Sequence, residues 1–277
     1  MSMRPEVQNG TRDELLSRLA EAVGSINIAH PTRVAIDGPP AAGKTTLGDE
    51  IAVVLRAQGR EVIRVSIESF LLPRAQRYRR GEFEAEGCYH DSFDFDALHR
   101  VLLDPLGPGR DRRFQQAVYD RSTETALSLP VTTAPVDAVL LFDGVFLLRP
   151  ELIDRWDLCI FVSAAFDVTL DRARTRDLAL FGSATEVERR HRERYRPSQQ
   201  FYFDSAPDRP RRLHCAQRRA ATADLGVPIA PMRGSGCDHC SWRADSTRYE
   251  QVSRPEKLQV TWLVTVAVSC RLSVTVS

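Results

Sequence analysis

The chain has 277 residues, of which 43% are hydrophobic and 27% are charged, a balance typical of globular proteins in water. Its formal net charge of +1 excludes a general attraction to nucleic acid or to a membrane surface. No apolar run reaches the roughly 18–20 residues of a membrane span, and six cysteines do not make the dense framework of a secreted domain. We therefore expect a cytoplasmic protein that contacts neither nucleic acid nor membrane.

In the N-terminal part, hydrophobic spacing indicates helices that alternate with strands. Leu15, Leu16 and Leu19 recur at helical intervals, and Gly59 is a helix stop signal after the next helical segment. Short apolar runs between these segments are typical of buried strands. The pattern predicts helices over residues 11–24 and 44–57 and strands over residues 33–37 and 61–67.

After a polar, arginine-rich region over residues 69–95, the alternation continues. The most apolar strand of the chain covers residues 138–148. Arginines and glutamates alternate in and around the run "RRHRER", which indicates a solvated helix face. We predict a further strand over residues 156–164 and helices over residues 96–106, 167–182 and 185–203, the last broken at Pro197.

This order of elements predicts the fold class. Strands that alternate with helices indicate an α/β, doubly wound domain with a mainly parallel sheet and helices on both faces. We place this domain over residues 10–206. Residues 207–277 lack sustained periodicity and are rich in arginine and small residues, so we treat them as a separate, irregular C-terminal tail whose order the sequence leaves open.

The turn between the first strand and the second helix matches the phosphate-loop motif G-x-x-x-x-G-K-[ST]. Glycines allow successive N–H groups to turn inward, and the helix N-terminus points its free N–H groups at the same anion. A chance match in a glycine-rich turn is the alternative. The motif predicts a P-loop NTPase-type fold in which a nucleoside triphosphate is held by Gly38, Ala41, Ala42, Gly43, Lys44, Thr45 and Thr46.

Two residues of this loop have specific chemistry. Lysine occurs only at Lys44 and Lys257 in a chain that otherwise uses arginine, and a compact ammonium suits the β- and γ-phosphates of a nucleotide. The Thr45 hydroxyl is placed to ligate Mg²⁺, which bridges those phosphates. The loop therefore predicts a triphosphate with Mg²⁺, but it does not by itself separate a kinase from a GTPase or a motor.

Two carboxylates follow strands that end near this loop. Glu68 lies at the carboxyl end of the second strand, where it can accept the proton of an acceptor hydroxyl or orient a Mg²⁺-bound water. Asp143 lies in the most apolar strand, and a carboxylate there needs a partner such as the water ligands of Mg²⁺. The alternatives are a solvated or helix-capping Glu68 and a turn aspartate before Gly144.

In order and spacing, several segments of the chain resemble the uridine kinase group of the phosphoribulokinase/uridine kinase family. They are "GPPAAGKTT", "SIESF", "YHDSFD", "AVYD", "VLLFDGVFLL" and "RTRDLALFG", all within residues 30–205. The resemblance implies an ATP-dependent, Mg²⁺-dependent kinase that transfers the γ-phosphoryl group to a hydroxyl of a small molecule, with a nucleoside as the first candidate.

The resemblance also implies roles for individual residues. Glu68 takes the place of the family's catalytic aspartate and is one methylene longer. Arg176 matches the lid arginine that faces the transferring phosphoryl group, and Asp143 matches the carboxylate after the corresponding strand. Tyr119 matches the tyrosine beside the substrate base, and Asp91 falls in the substrate-side loop.

Two positions depart from the pattern of the family. Glu124 stands where pyrimidine nucleoside kinases have a histidine. The second lid arginine of the family falls near Ser183 and is missing here, although Arg172 and Arg174 are close by. Two alternatives therefore stay open: a sibling kinase that acts on pantothenate, a sugar phosphate or another alcohol, and a nucleotide-binding module with little catalysis. The oligomeric state, a homo-oligomer included, is open as well.

Overall fold

The computed structural model describes residues 11–205 and 263–268. The strands are β1 Thr32–Asp37, β2 Val62–Ser66, β3 Arg113–Phe114, β4 Tyr119–Asp120, β5 Thr125–Ala126, β6 Thr132–Thr133, β7 Val139–Gly144, β8 Leu158–Ser163 and β9 Leu263–Val268. The helices are α1 Arg12–Gly24, α2 Lys44–Ala57, α3 Arg74–Arg77, α4 Ala85–His90, α5 Phe95–Leu98, α6 Phe166–Arg176, α7 Leu178–Phe181, α8 Ala184–Arg190 and α9 Arg196–Asp204. Short 3₁₀ turns cover Ile67–Phe70 and Ile153–Arg155, and π-helical turns cover His99–Leu103 and His191–Tyr195.

The central sheet has the strand order β2-β7-β1-β8-β9. The first four strands are parallel, which confirms the predicted α/β class, and β9 pairs antiparallel with β8. In the register of the sheet, Asp143 on β7 lies opposite Ile36 on β1 and Ser66 on β2. The carboxyl ends of β1, β2 and β7 therefore meet at one edge, where ligands bind in open α/β sheets.

Successive side chains of the strands point to opposite faces of the sheet and pack into two separate apolar cores, one on each face. Val34 and Ile36 of β1 pack with Leu47 and Ile51 of α2 in the first core. The second core lies on the opposite face and includes Phe142 of β7. Helices thus cover both faces, as predicted, because parallel strands that are buried on both sides need a layer on each.

The C-terminal helices depart from the prediction in two ways. Residues 184–204 stay helical past Pro197, so the predicted break there is wrong. Pro197 is the second residue of α9, and in the first turn of a helix the N–H that proline lacks has no intrahelical partner. The predicted helix over residues 167–182 is instead divided at Asp177 into α6 and α7.

Strand β9 belongs to residues 207–277, which were predicted to lie outside the domain. Its six residues pair with β8 along the whole of Leu158–Ser163 and so extend the domain's sheet. The domain boundary near residue 206 stays a prediction, and the rest of the tail lies outside the described residues. Within the part of the chain that the structure describes, no helix has the length and apolar character that crossing a membrane requires.

Candidate active site

The phosphate loop depends on two glycines for its path. Gly38 has φ +152°, and a Cβ at this position would lie 2.3 Å from the carbonyl oxygen of Val162. Gly43 has φ +97° and caps the N-terminus of α2. Ala41 also takes a positive φ, +59°, a conformation that L-residues rarely adopt and that concentrates at functional loops. The loop is thus held in the curved form that directs N–H groups at an anion.

Lys44 lies in the first turn of α2 with only 8% of its surface exposed, and its Nζ donates to the carbonyl oxygen of Pro39 at 2.8 Å. Burial lowers the pKa of Lys44 to about 8, and the charge of Arg176 acts in the same direction. The carboxylates of Asp37, Asp143 and Glu68 oppose this shift. A buried cation at a helix N-terminus is suited to bind phosphate oxygens.

The Thr45 hydroxyl donates a hydrogen bond of 2.8 Å to Oδ2 of Asp143, so the two predicted metal-site residues are in contact. Asp143 is 3% exposed, and Ser66 Oγ lies 3.5 Å from the same oxygen. These hydroxyl and carboxylate oxygens are the ligand type that Mg²⁺ prefers. The described residues contain no cluster of three or more His, Cys, Asp or Glu side chains that could cage a metal. The donor set therefore fits Mg²⁺ that is held mainly by phosphates and water.

Glu68 follows β2 on the 3₁₀ turn Ile67–Phe70, and its backbone N–H donates to the Ser66 hydroxyl at the start of that turn. Its side chain is 48% exposed and forms an ion pair with Arg121. Glu68 lines the same cleft as Lys44, Thr45 and Asp143. A carboxylate at this place can receive a proton from a molecule in the cleft, provided that Arg121 moves aside.

Arg176 also lines the cleft, at the C-terminal end of α6. Its Nε and Nη2 donate to the two carboxylate oxygens of Asp177 at 2.7 and 2.8 Å. Burial by itself would raise the pKa of Asp177, but the nearby His191 ring and the Arg176 guanidinium outweigh it and lower this pKa to about 2. Asp177 thus anchors Arg176 in a bidentate pair at the side of the cleft.

The other two arginines of α6 have different surroundings. Arg172 donates to the carbonyl oxygens of Ala41 and Ala42 in the phosphate loop, at 3.5 and 3.2 Å. Arg174 instead pairs with Asp171 and Glu188. Of the three arginines on α6, Arg176 therefore faces the cleft, and Arg172 supports the loop from outside.

The predicted substrate residues Tyr119 and Asp91 are not among the residues that line the cleft, but each lies next to one that does. The Tyr119 hydroxyl donates to Glu124 Oε2 at 2.8 Å, and Glu124 also accepts from Nη2 of the cleft-lining Arg77 at 2.7 and 2.8 Å. Burial and Glu124 raise the pKa of Tyr119. The carboxylate of Asp91 accepts from Arg79 and Arg80, each at 2.7 Å, while the next residues, Ser92 and Phe93, line the cleft.

The structure adds cleft residues that sequence reasoning missed. Arg77, Arg121 and Arg194 line the same cleft as Glu68. Arg194 belongs to the run that was predicted to be a solvated helix face, yet Arg190, His191 and Arg194 are buried, at 6%, 2% and 3% exposed. That prediction is wrong for these residues because they recur with the buried Val187 at helical intervals and so lie on the face that packs inward. The arginine-rich composition of residues 69–95 was the available signal for Arg77.

Sequence comparisons place these features in a family. The model of the Phosphoribulokinase / Uridine kinase family matches residues 34–205. Uridine-cytidine kinase B of Dictyostelium discoideum is 29% identical over 158 residues, which cover 57% of this chain and 63% of the relative. Uridine-cytidine kinase A of the same organism is 27% identical over 160 residues, 58% of this chain and 31% of the relative. The chain thus spans less than two thirds of the length of both relatives.

A solved structure has the same fold. The structure of a possible uridine kinase from Bacillus stearothermophilus matches with a TM-score of 0.57 at 20% identity, over 77% of this chain and 97% of that chain. At this identity the likeness concerns the architecture alone.

Proposed function

We propose that this chain, which belongs to the phosphoribulokinase/uridine kinase family, is an ATP-dependent kinase that phosphorylates a hydroxyl of a small molecule. One observation carries the proposal. Lys44, Thr45, Glu68, Asp143 and Arg176 line a single cleft at the carboxyl edge of the sheet. The set offers a phosphate cradle, oxygen ligands suited to a metal, a carboxylate that could act as a base and an arginine, and phosphoryl transfer needs groups of these kinds.

The donor end of the cleft binds ATP in this proposal. Lys44 and the N–H groups of residues 38–46 hold the β- and γ-phosphates, and Thr45 and Asp143 hold Mg²⁺ directly or through water. The metal, when bound, neutralises charge between the β- and γ-phosphates. Arg176 adds positive charge at the transferring group and, with the lid closed, water is kept from competing as the acceptor.

The acceptor end supplies the base. Glu68 takes the proton of the acceptor hydroxyl as that oxygen bonds to the γ-phosphorus, and the bond from the γ-phosphorus to the bridging oxygen breaks. The electron pair of that bond stays with ADP, and the proton stays on Glu68 until it passes to solvent. Arg121 must release Glu68 for this role, so we infer that acceptor binding separates the pair.

Two classes of acceptor are candidates. A nucleoside is the first, because the relatives are described as uridine-cytidine kinases and the Tyr119 ring lies beside the cleft-lining Arg77. An alcohol with a phosphate or carboxylate group, such as a sugar phosphate or pantothenate, is the second. It is favoured by Arg77, Arg121 and Arg194, which line the cleft. Glu124, in the place of the pyrimidine kinases' histidine, counts against a pyrimidine nucleoside.

A coupled assay of ADP release tests the proposal. Purified protein with Mg-ATP is offered a panel of nucleosides, sugar phosphates, pantothenate and neutral sugars, and the Lys44→Ala variant is the control for contaminating kinases. Turnover that depends on one acceptor class supports the kinase and identifies the class. Tight ATP binding without turnover on any acceptor would instead support a nucleotide-binding module. The cytoplasmic location and a homo-oligomeric state stay predictions from the sequence.

A further inference from the structure

Arg64, an interior residue of β2, contacts Asp143, the carboxylate of the candidate metal site. Its Nη2 donates to Asp143 Oδ1 at 2.9 Å and its Nη1 donates to the carbonyl oxygen of Leu141 at 2.8 Å. Its Nε donates to Asp49 Oδ1 on α2 at 3.0 Å. The side chain is only 16% exposed, so the guanidinium is held on three sides in a space with little water.

Helix α2 is shaped to make room for this guanidinium. Gly48 lies in the middle of α2, where glycine has a low helix propensity. A Cβ at Gly48 would lie 2.9 Å from both Cζ and Nη2 of Arg64, closer than real Cβ contacts come. The absence of a side chain at Gly48 therefore allows Arg64 to sit between the helix and β7.

The two oxygens of Asp143 consequently have different partners. Oδ1 accepts from Arg64, while Oδ2 accepts from the Thr45 hydroxyl and faces the phosphate loop. Since Asp143 is 3% exposed, its charge needs compensation whether or not a metal is bound. Arg64 supplies that compensation from the protein itself.

We propose that Arg64 is a positioning residue that leaves Asp143 only one carboxylate oxygen, Oδ2, with which to serve the metal site. Arg64 occupies Oδ1 and offsets its charge, so the apoprotein has little attraction for Mg²⁺ alone, and the metal binds with the triphosphate instead. The inference rests on the proposed Mg-ATP site, but it concerns binding of the metal by the protein without nucleotide. It can therefore fail while the kinase function stands, and the reverse also holds.

The test measures Mg²⁺ binding to the nucleotide-free protein by calorimetry and by the shift of its thermal unfolding midpoint. The Arg64→Gln variant removes the positive charge, and Arg64→Lys retains it. The double variant Arg64→Gln/Asp143→Asn removes both charges. Arg60→Gln is the matched control. Arg60 lies two residues before β2, and its guanidinium donates to the carbonyl oxygen of Asp137, not to a carboxylate of the site.

We expect the wild type, Arg64→Lys and Arg60→Gln to respond weakly to Mg²⁺. Arg64→Gln should bind Mg²⁺ about tenfold more tightly or better, because a like charge near the metal is gone. The double variant should lose that gain. In the presence of acceptor and Mg-ATP, Arg64→Gln should lower kcat more than it changes KM for ATP.

Equal Mg²⁺ affinity of folded Arg64→Gln and wild type would overturn the proposal. So would a gain that survives the removal of Asp143. If Arg64→Gln folds only when Mg²⁺ is present, the proposal is supported, since the metal then replaces the missing charge. If it stays unfolded at every Mg²⁺ concentration while the double variant folds, Mg²⁺ does not reach Asp143 and the proposal is overturned.

Discussion

The Thr45 hydroxyl and the Asp143 carboxylate, which are 98 residues apart in the chain, are joined by a hydrogen bond of 2.8 Å. Thr45 is in the first turn of α2 and Asp143 is near the end of β7, so the contact brings the phosphate loop to a neighbouring strand. Their meeting point defines where Mg²⁺ and the transferring phosphoryl group are placed in the proposed reaction.

The titration of Lys44 predicts a pH dependence of nucleotide binding. Its pKa is lowered to about 8, so the ammonium is charged below pH 8 and loses its proton as the pH rises further. Affinity for ATP should be steady from pH 6.5 to 7.5 and fall by up to about tenfold per pH unit above 8. In Lys44→Arg, whose side chain stays charged, calorimetric titrations should show weaker binding without this fall. The same fall in Lys44→Arg would assign it to another group.

Glu68→Gln should lower kcat by about 10²–10⁴, because the acceptor hydroxyl loses its proton acceptor. The dissociation constant for ATP should change by less than about threefold, since Glu68 lies on the acceptor side of the cleft. Glu151→Gln is the control, as Glu151 pairs with Arg149 and has no place in the proposed reaction. Steady-state kinetics and calorimetry separate the two effects, and unchanged kcat would remove Glu68 from the mechanism.

Arg176→Ala should lower kcat by about 10³ or more through lost stabilisation of charge at the phosphoryl group. Arg174→Ala is the matched control on the same helix, where Arg174 pairs with Asp171 and Glu188. Single-turnover rates with Mg-ATP and the identified acceptor make the comparison. A similar loss in both variants would indicate damage to α6 rather than a direct role of Arg176.

Asp177→Asn should destabilise the protein in a way that depends on pH. The pKa of Asp177 is lowered from 3.8 to about 2, so its ionised form stabilises the folded state by about 2 kcal/mol above pH 4. This contribution is lost as the pH falls from about 4 to about 2. Urea unfolding at pH 7 and at pH 3 should show that the free energies of unfolding of wild type and variant differ less at the lower pH. A difference that does not depend on pH would contradict the assignment.

Gly48→Ala should fail to stabilise α2. Alanine in a helix interior ordinarily gains about 1 kcal/mol over glycine, but here its Cβ would lie 2.9 Å from the Arg64 guanidinium. Gly24→Ala is the control, because a Cβ at Gly24, at the end of α1, meets nothing within 4 Å. Thermal unfolding should rank Gly24→Ala above Gly48→Ala. A gain at Gly48 equal to that at Gly24 would show that Arg64 moves away without cost.

Much of the fold was predictable because its signals are local. The phosphate-loop motif and the spacing of apolar residues place α2 at Lys44–Ala57 and β1 at Thr32–Asp37, close to the predicted ranges. Glycine at positions 38 and 43 is required by a backbone conformation that the motif already encodes. The helix past Pro197 was not predicted, because only the structure shows that the proline falls in the first turn of α9, where its missing N–H is tolerated.

By itself, the sequence determined the phosphate loop, the parallel α/β architecture and the candidacy of Lys44, Thr45, Glu68 and Asp143, since each depends on residue type and short-range spacing. Only the tertiary structure decided which arginines face the cleft. Arg121 and Arg194 line the cleft, while Arg64 contacts Asp143 from beside it, and the neighbours of all three come from distant parts of the chain. The residue type determines the charge of a side chain, but burial and packing between elements determine whether water, a carboxylate or a ligand compensates that charge.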